Sequence, residues 1–191
     1  MNFAKNAYYQ ERLSKLSSSN ETIKNKEFEE CEFNECSFVD CKFEKCKFIN
    51  CKFISCTLSA VTPTDCRFVE VNFSSSKVMG IDWTKAQHIE DISFEACQIN
   101  YSNFRLLKLP KLKVVNSEAK EVDFTETGLE GSDFSDTDFE GSVFSKTNLT
   151  KANFRGAKSY YIDARYNKVK KAQFSLPEAL SLLNSLDVII D

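Results

Sequence analysis

The sequence predicts a solenoid in which the chain turns a corner every five residues. Sixteen of the 17 phenylalanines fall on two frames with a spacing of five, and all eight cysteines lie two residues before a frame position. A spacing of five fits neither a helix, with its period of about 3.6, nor a flat strand, with its period of about 2. Each pentapeptide therefore supplies one side of a coil, with one large and one small side chain pointing inward.

The large positions define two segments of the repeat. The first frame ends at Trp83 and the second begins at Ile89, six residues later, so one residue is inserted between them. We divide the repeat at this slip into a first segment, residues 23–83, and a second, residues 84–174. The phenylalanines that we expect at the centre of the core are Phe28, Phe33, Phe38, Phe43, Phe48, Phe53, Phe68, Phe73, Phe94, Phe104, Phe124, Phe134, Phe139, Phe144 and Phe154.

The small positions hold every cysteine of the chain. Metal and iron–sulfur sites need a spacing such as Cys-x2-Cys to bring thiolates onto one ion, but here the shortest spacing is Cys-x4-Cys. Free cysteine in a core usually behaves as a small apolar filler, and disulfides are rare in cytosolic proteins. We therefore expect no metal, no cofactor and eight buried free thiols: Cys31, Cys36, Cys41, Cys46, Cys51, Cys56, Cys66 and Cys97.

Both ends of a solenoid need a cap, because an open coil exposes strand edges and core. At the N-terminus, residues 1–22 are interpreted as a loose cap. At the C-terminus, residues 175–191 are predicted to form a helix that begins near Pro177, followed by a short apolar strand.

The composition excludes several classes of protein. A net charge of −3 is not that of a strongly basic nucleic-acid binder. No apolar run is long enough to span a bilayer, and the first residues lack the apolar region of a signal peptide, so we expect a cytoplasmic protein. The only histidine, His88, lies at the frame slip, and no glycine-rich phosphate loop is present. A convex rod offers no concave site for acid–base chemistry. We therefore expect a protein that is not an enzyme.

Charge is segregated along the second segment. Residues 118–142 contain nine acids and one base, whereas residues 143–171 contain eight bases and one acid. These two stretches, the acidic belt and the basic belt, indicate either a partner-binding surface or simple solvation. The candidate partner surface consists of Asp123, Glu126, Glu130, Asp133, Asp136, Asp138 and Glu140.

The repeat resembles a known family. Residues 132–136 (SDFSD) and 152–156 (ANFRG) are similar to the A(D/N)LXX consensus of the pentapeptide-repeat family, and the resemblance extends from residue 23 to about residue 174. It implies the fold of that family, an all-β, right-handed quadrilateral β-helix with four pentapeptides per coil.

Two shorter stretches resemble one branch of this family, the Qnr-type quinolone-resistance proteins. Residues 80–83 (GIDW) are similar to the junction between their two β-helical segments, and residues 182–190 to their terminal helix and strand. The resemblance implies a homodimer with a two-fold axis at the C-terminus, and binding to DNA gyrase or topoisomerase IV through likeness to the shape and charge of duplex DNA. The dimer would form through Leu180, Leu183, Leu186, Val188, Ile189 and Ile190.

Other features distinguish this chain from that branch. Repeats continue where many Qnr proteins carry projecting loops, and Leu107, Pro110 and Leu112 indicate distortion of the coil near residues 105–117. Basic residues in the same stretch interrupt an acidic face. Two hypotheses therefore remain: a non-enzymatic interaction scaffold for an unknown protein partner, and a Qnr-like binder of a type II topoisomerase with no direct contact to nucleic acid or membrane.

Overall fold

Each pentapeptide folds into a short strand followed by a corner. In the computed structural model, which describes residues 3–184, the chain forms a parallel β-solenoid of about eight turns. The middle residue of each strand points inward and its two neighbours point outward, because successive side chains of a strand alternate between faces. The predicted quadrilateral β-helix is confirmed.

The described residues contain nineteen strands, one 3-10 helix and one α-helix. The 3-10 helix is Trp83–Lys85 and the α-helix, α1, is Leu180–Asn184. The strands are β1 (Ala7–Tyr9), β2 (Arg12–Ser14), β3 (Ser17–Ser19), β4 (Thr22–Lys24), β5 (Glu27–Glu29), β6 (Glu32–Asn34), β7 (Ser37–Val39), β8 (Lys42–Glu44), β9 (Lys47–Ile49), β10 (Lys52–Ile54), β11 (Thr57–Ser59), β12 (Thr62–Thr64), β13 (Arg67–Val69), β14 (Asn72–Ser74), β15 (His88–Glu90), β16 (Ser93–Glu95), β17 (Lys113–Val115), β18 (Asn153–Phe154) and β19 (Gln173–Phe174).

Four walls run along the rod. Wall A contains the sheet β1-β5-β9-β13-β15, and wall B contains the sheet β2-β6-β10-β14-β16-β17. Wall C begins with β3, β7 and β11, and wall D with β4, β8 and β12. Beyond these strands the walls continue as single parallel bridges, such as those of Gln98 with Glu118 on wall C and Asn103 with Asp123 on wall D.

The register between coils explains the frame slip. Strands pair with a step of 20 residues in the first segment, as between Phe33 and Phe53. The step becomes 21 across the slip, as between Phe73 and Phe94, and the 3-10 helix absorbs the extra residue. It then returns to 20, as between Phe94 and Val114.

The N-terminal interpretation was wrong for most of its residues. The solenoid begins at β1 rather than at residue 23, and Tyr8 stacks on Phe28 at 5.1 Å between ring centroids. Lys26 closes this end by donating from its Nζ to the carbonyl oxygens of Phe3 and Lys5, at 2.8 and 2.7 Å. The small positions of this first coil hold polar or large residues because they border the open end. The pattern of cysteines two residues before each central position therefore does not reveal this coil in the sequence.

The expected distortion near residues 105–117 is local. Leu112 is buried and β17 pairs normally with β16. Within the described residues, however, no backbone hydrogen bond joins residues 88–91 to residues 108–111. Pro110 has no N–H to donate there. A groove of about 390 Å³ opens between Ile89 and Leu109 as a result.

The last coil departs from the repeat. Ile162, eighteen residues after Phe144, takes the inward position on wall D. A turn over residues 176–179 leads into α1, which begins at Leu180, three residues later than Pro177. The predicted apolar strand, Val188, Ile189 and Ile190, and Leu186 of the predicted helix lie outside the described residues. No helix among residues 3–184 is long and apolar enough to cross a membrane.

Candidate interaction surface

The predicted central phenylalanines form columns inside the rod. All fifteen are at most 5% exposed. Phe33, Phe53, Phe73 and Phe94 stack in succession behind wall B, with ring centroids 4.4, 4.9 and 5.1 Å apart. Aromatic pairs favour such offset or edge arrangements over loose contact. The rigid column fixes the position of every outward side chain on the same strands.

All eight cysteines are buried and none forms a disulfide. The Sγ atom of Cys56 lies 3.4 Å from the backbone N of Cys36, and that of Cys66 lies 3.4 Å from the backbone N of Cys46. Their thiols also donate to carbonyl oxygens, as Cys56 does to Phe33 at 3.4 Å. The small position therefore satisfies backbone groups as well as filling space, which spacing alone did not indicate.

Burial and hydrogen bonds between neighbouring thiols shift the pKa values of these cysteines in opposite directions. Burial raises the pKa of Cys51 to about 12. A hydrogen bond with the Cys36 thiol and burial together raise the pKa of Cys56, and the same hydrogen bond lowers the pKa of Cys36. The contact between Cys46 and Cys66 acts in the same way, lowering the pKa of Cys46 and raising that of Cys66. No group of three or more His, Cys, Asp or Glu side chains within residues 3–184 is arranged to hold a metal ion.

Charged side chains on the walls pair vertically, between one coil and the next. Arg12 with Glu32 and Lys24 with Glu44 form ion pairs at 3.0 and 3.2 Å. The acidic and basic belts meet in the same way, through pairs such as Lys146 with Glu126 at 3.6 Å. Much of the charge segregation in the sequence therefore follows from stacking with a step of 20 residues.

The seven acids of the candidate partner surface do not share one face. Asp123 lies on wall D, Glu130 on wall A, Asp133 on wall B, and Asp138 with Glu140 on wall C, while the other two lie at corners. Five of the seven form ion pairs, namely Asp123, Glu126, Glu130, Asp138 and Glu140. They form a partly neutralised ring around the rod, so a single flat partner cannot contact all of them.

A set of exposed apolar residues on and beside wall D went unrecognised in the sequence. The wall D surface consists of Tyr101, Leu106, Val143, Tyr161 and Tyr166. Tyr161 and Tyr166 line a groove of about 300 Å³ together with Val143. The four largest members are 58–66% exposed. The sequence signal that could have revealed this surface is a large apolar residue outside the five-residue frame, because positions outside the frame face solvent.

Local contacts hold this surface in place. Arg165 donates to both carboxylate oxygens of Asp163, at 3.1 and 2.7 Å, and its guanidinium lies 5.5 Å from the centre of the Tyr166 ring. Tyr101 and Leu106 occupy left-handed corners with φ of 62° and 63°. Such a conformation is uncommon for bulky residues.

The fold of this chain is shared with known proteins. No curated protein sequence matches the chain. A structure of trypsin-treated QnrB1, described as a plasmid-mediated fluoroquinolone resistance protein, is similar with a TM-score of 0.74 at 18% identity, covering 97% of this chain and 98% of that one. Full-length QnrB1 gives 0.62 at 15% identity, covering 93% and 100%.

Sequence models of one family match both segments of the solenoid. The model described as a pentapeptide repeat region matches residues 26–104. The model described as pentapeptide repeats (8 copies) matches residues 120–158. Together they span more than half of the chain, and the five-residue frame, the four walls and the 20-residue register are what such repeats produce. The chain belongs to the pentapeptide-repeat family.

Proposed function

We propose that the protein is a non-enzymatic scaffold that binds a partner protein through the wall D surface. The observation that carries this proposal is the exposed groove of Tyr161, Tyr166 and Val143 beside Arg165. Tyrosine and arginine are enriched among the residues that dominate the energy of protein–protein interfaces. An exposed apolar patch rimmed by polar residues is typical of an interaction site.

The rod presents this surface in a preorganised form. Phe144 and Ile162 lie behind it in the core, at 5% and 0% exposure, and the Asp163–Arg165 ion pair fixes its edge. Little conformational entropy is then lost on binding, which favours affinity.

Substitution of the two tyrosines tests the proposal. Once a partner is identified by crosslinking, Tyr161→Ala with Tyr166→Ala should weaken its binding by about tenfold or more, since residues of this type commonly contribute over 1 kcal/mol each. Tyr9→Ala is the matched control, because Tyr9 is equally exposed on wall A. Binding that survives the double substitution, or that falls equally in the control, would exclude the wall D surface.

A second candidate function is the binding of a type II topoisomerase. It is supported by the likeness of fold to QnrB1 over nearly the whole length of both chains and by the Qnr-like sequence at residues 80–83. The ring of acids around wall positions 123–140 would supply only part of the charge of duplex DNA, because most of its members are ion-paired.

A DNA gyrase supercoiling assay distinguishes the two candidates. If the protein binds a topoisomerase, its addition should change supercoiling activity or the fluoroquinolone concentration that inhibits it. An unchanged activity at a large molar excess of protein would leave the scaffold function with a different partner. The Tyr161→Ala, Tyr166→Ala variant shows whether any effect uses the wall D surface.

A further inference from the structure

Many vertical neighbours on the outer walls are of opposite charge. Within the described residues, ion pairs separated by 20 positions link Arg12 to Glu32, Lys24 to Glu44 and Lys120 to Glu140. Adjacent strands lie about 4.8 Å apart, so stacked side chains of opposite charge attract and like charges directly opposite each other are destabilising.

Cations are stacked instead in a column on wall A, whereas the like-charged neighbours Glu118 and Asp138 on wall C are bridged by Lys120 and Lys158 at Asp138. Lys47, Arg67 and His88 occupy the same register position in β9, β13 and β15. Lys47 is partly neutralised by Glu27 in the coil below, and His88 contacts Glu90 at 3.2 Å. Arg67 is exposed, and it forms no ion pair within residues 3–184. Two permanent cations one above the other repel each other, so this position lowers the stability of the fold.

The column borders a groove of about 410 Å³. Its lining residues are Lys45, Lys47, Asp65, Arg67 and Gln87. Lys45 lies at the corner that precedes β9, is exposed, and is also without an ion pair among the described residues. Three cations therefore face this space with one carboxylate, so its local charge is positive in a protein whose net charge is −3.

A second column of different chemistry runs beside the cations. The third residues of β9 and β13 are Ile49, which is 38% exposed, and Val69, which is half-buried. Glu90 of β15 ends this aliphatic column. The outer face of β9 and β13 thus presents cations along one edge and aliphatic side chains along the other.

We propose that this face of wall A binds an acidic segment of a protein partner in which carboxylates alternate with apolar residues. The guanidinium of Arg67 matches a carboxylate in a bidentate geometry, while Ile49 and Val69 offer apolar contact. A phosphate polymer would satisfy the cations but leave the aliphatic column without a partner. The occupant is therefore an acidic peptide rather than a nucleic acid, and the site is separate from the wall D surface.

A labelled synthetic peptide that repeats Asp-Glu-Leu is a direct probe, with binding followed by fluorescence anisotropy at low and at physiological salt. Arg67→Glu with Lys45→Glu should weaken binding by about tenfold or more, because attraction becomes repulsion. Lys77→Glu is the matched control: Lys77 is exposed, belongs to the same coil and lies on wall C. It should change the affinity little.

Thermal unfolding separates loss of binding from loss of folding. Arg67→Glu places a carboxylate between Lys47 and His88 and so restores alternation, and its melting temperature should equal or exceed that of the wild type. Equal weakening by Lys77→Glu, unchanged binding by the double variant, or a lowered melting temperature of Arg67→Glu would overturn the proposal. Tighter binding of a single-stranded oligonucleotide of equal charge would also overturn it.

Discussion

The central residue of each pentapeptide carries most of the packing of this protein. Phe43 is 2% exposed and contacts Phe38 and Phe48 edge-on, with centroids 5.4 Å away in both cases. Its vertical neighbours are Ile23 below and Pro63 above. A ring enclosed on four sides cannot be removed without leaving a cavity, since the two coils that flank it are held apart by their own hydrogen bonds.

Phe43→Ala should therefore destabilise the protein by about 3–5 kcal/mol, the usual cost of truncating a buried phenylalanine. Lys42→Ala should have little effect, because Lys42 lies on the outer face of the same strand and its ion pair with Glu44 is partly exposed. Chemical denaturation of both variants measures the difference. Equal destabilisation would contradict the five-residue frame.

The small position is the second constraint at the scale of single residues. In the column on wall C it holds cysteine at Cys36, Cys56 and Cys97, and serine at Ser76 and Ser117. The Ser76 hydroxyl accepts from the Cys56 backbone N at 2.9 Å, as the Cys56 thiol does for Cys36 at 3.4 Å. The residue type can alternate between cysteine and serine because both supply a small acceptor at the same place.

The thiols should remain reduced and unreactive while the protein is folded. All eight thiols are buried, so a reagent reaches them only when the coils open. The thiolate is the species that is alkylated or oxidised; burial raises the pKa of Cys51 to about 12, whereas the pKa values of Cys36 and Cys46 are lowered by their hydrogen-bonded thiol neighbours. Native protein should react slowly with an alkylating reagent, and protein unfolded without reductant should reveal all eight thiols. Fewer than eight would show that disulfides had formed.

At the scale of the element, each corner of the repeat requires a residue in the left-handed backbone conformation. Between residues 3 and 184, twenty-seven residues other than glycine adopt left-handed corners, with φ between 48° and 63°. The chain contains only five glycines, so polar residues such as Asn50 and Asp136 carry most corners at some conformational cost. Hydrogen bonds between successive corners offset it, as the Asp136 N–H donates to the Arg155 carbonyl at 3.0 Å.

Substitutions at two glycine corners distinguish the energetic cost of backbone strain from the cost of steric crowding. Gly131 and Gly156 have φ of 68° and 69°, but a Cβ at Gly131 would approach only the Lys111 side chain at 3.8 Å, whereas one at Gly156 would overlap the carboxylate of Asp136. Gly131→Ala should cost about 1 kcal/mol through its backbone alone, and Gly156→Ala distinctly more. Urea denaturation compares them, and equal costs would mean that Asp136 moves aside freely.

At the scale of the whole molecule, each coil is covered by the next except at the two ends. Lys26 closes the N-terminal end through carbonyl oxygens. At the other end Leu176 is 75% exposed, and Leu180 and Leu183 of α1 are also exposed. Exposed leucines beside the last coil favour contact with another chain, and a self-complementary pairing about a two-fold axis is the simplest form of it.

We expect a dimer in solution that depends on this end. Deletion of residues 176–191, or Leu183→Glu with Ile189→Glu, should give a monomer or an aggregate in sedimentation velocity, because a charge in the interface has no partner there. Tyr9→Ala serves as the control, since Tyr9 is exposed at the opposite end of the rod. A wild-type chain that sediments as a monomer at micromolar concentration would rule out this dimer.

The sequence by itself determined the repeat, its inward positions and the slip. A period of five with alternating large and small residues has only one way to bury its apolar side chains, and the spacing of Phe73 and Phe94 already implies the inserted residue. The sequence did not indicate the first coil, where Leu13 and Ser18 take central positions. A terminal coil is covered on one side only, so it tolerates smaller or more polar residues at these positions.

The tertiary structure alone decided which charges meet and which surfaces remain open. Glu126 and Lys146 look like members of opposite belts in the sequence, yet they form an ion pair, because four walls per turn bring residues 20 apart into contact. The same stacking sets Arg67 above Lys47 and gathers Tyr161 and Tyr166 beside Val143. Such neighbours arise from the vertical register of the coils, which depends on the number of residues in a complete turn rather than on any local pattern.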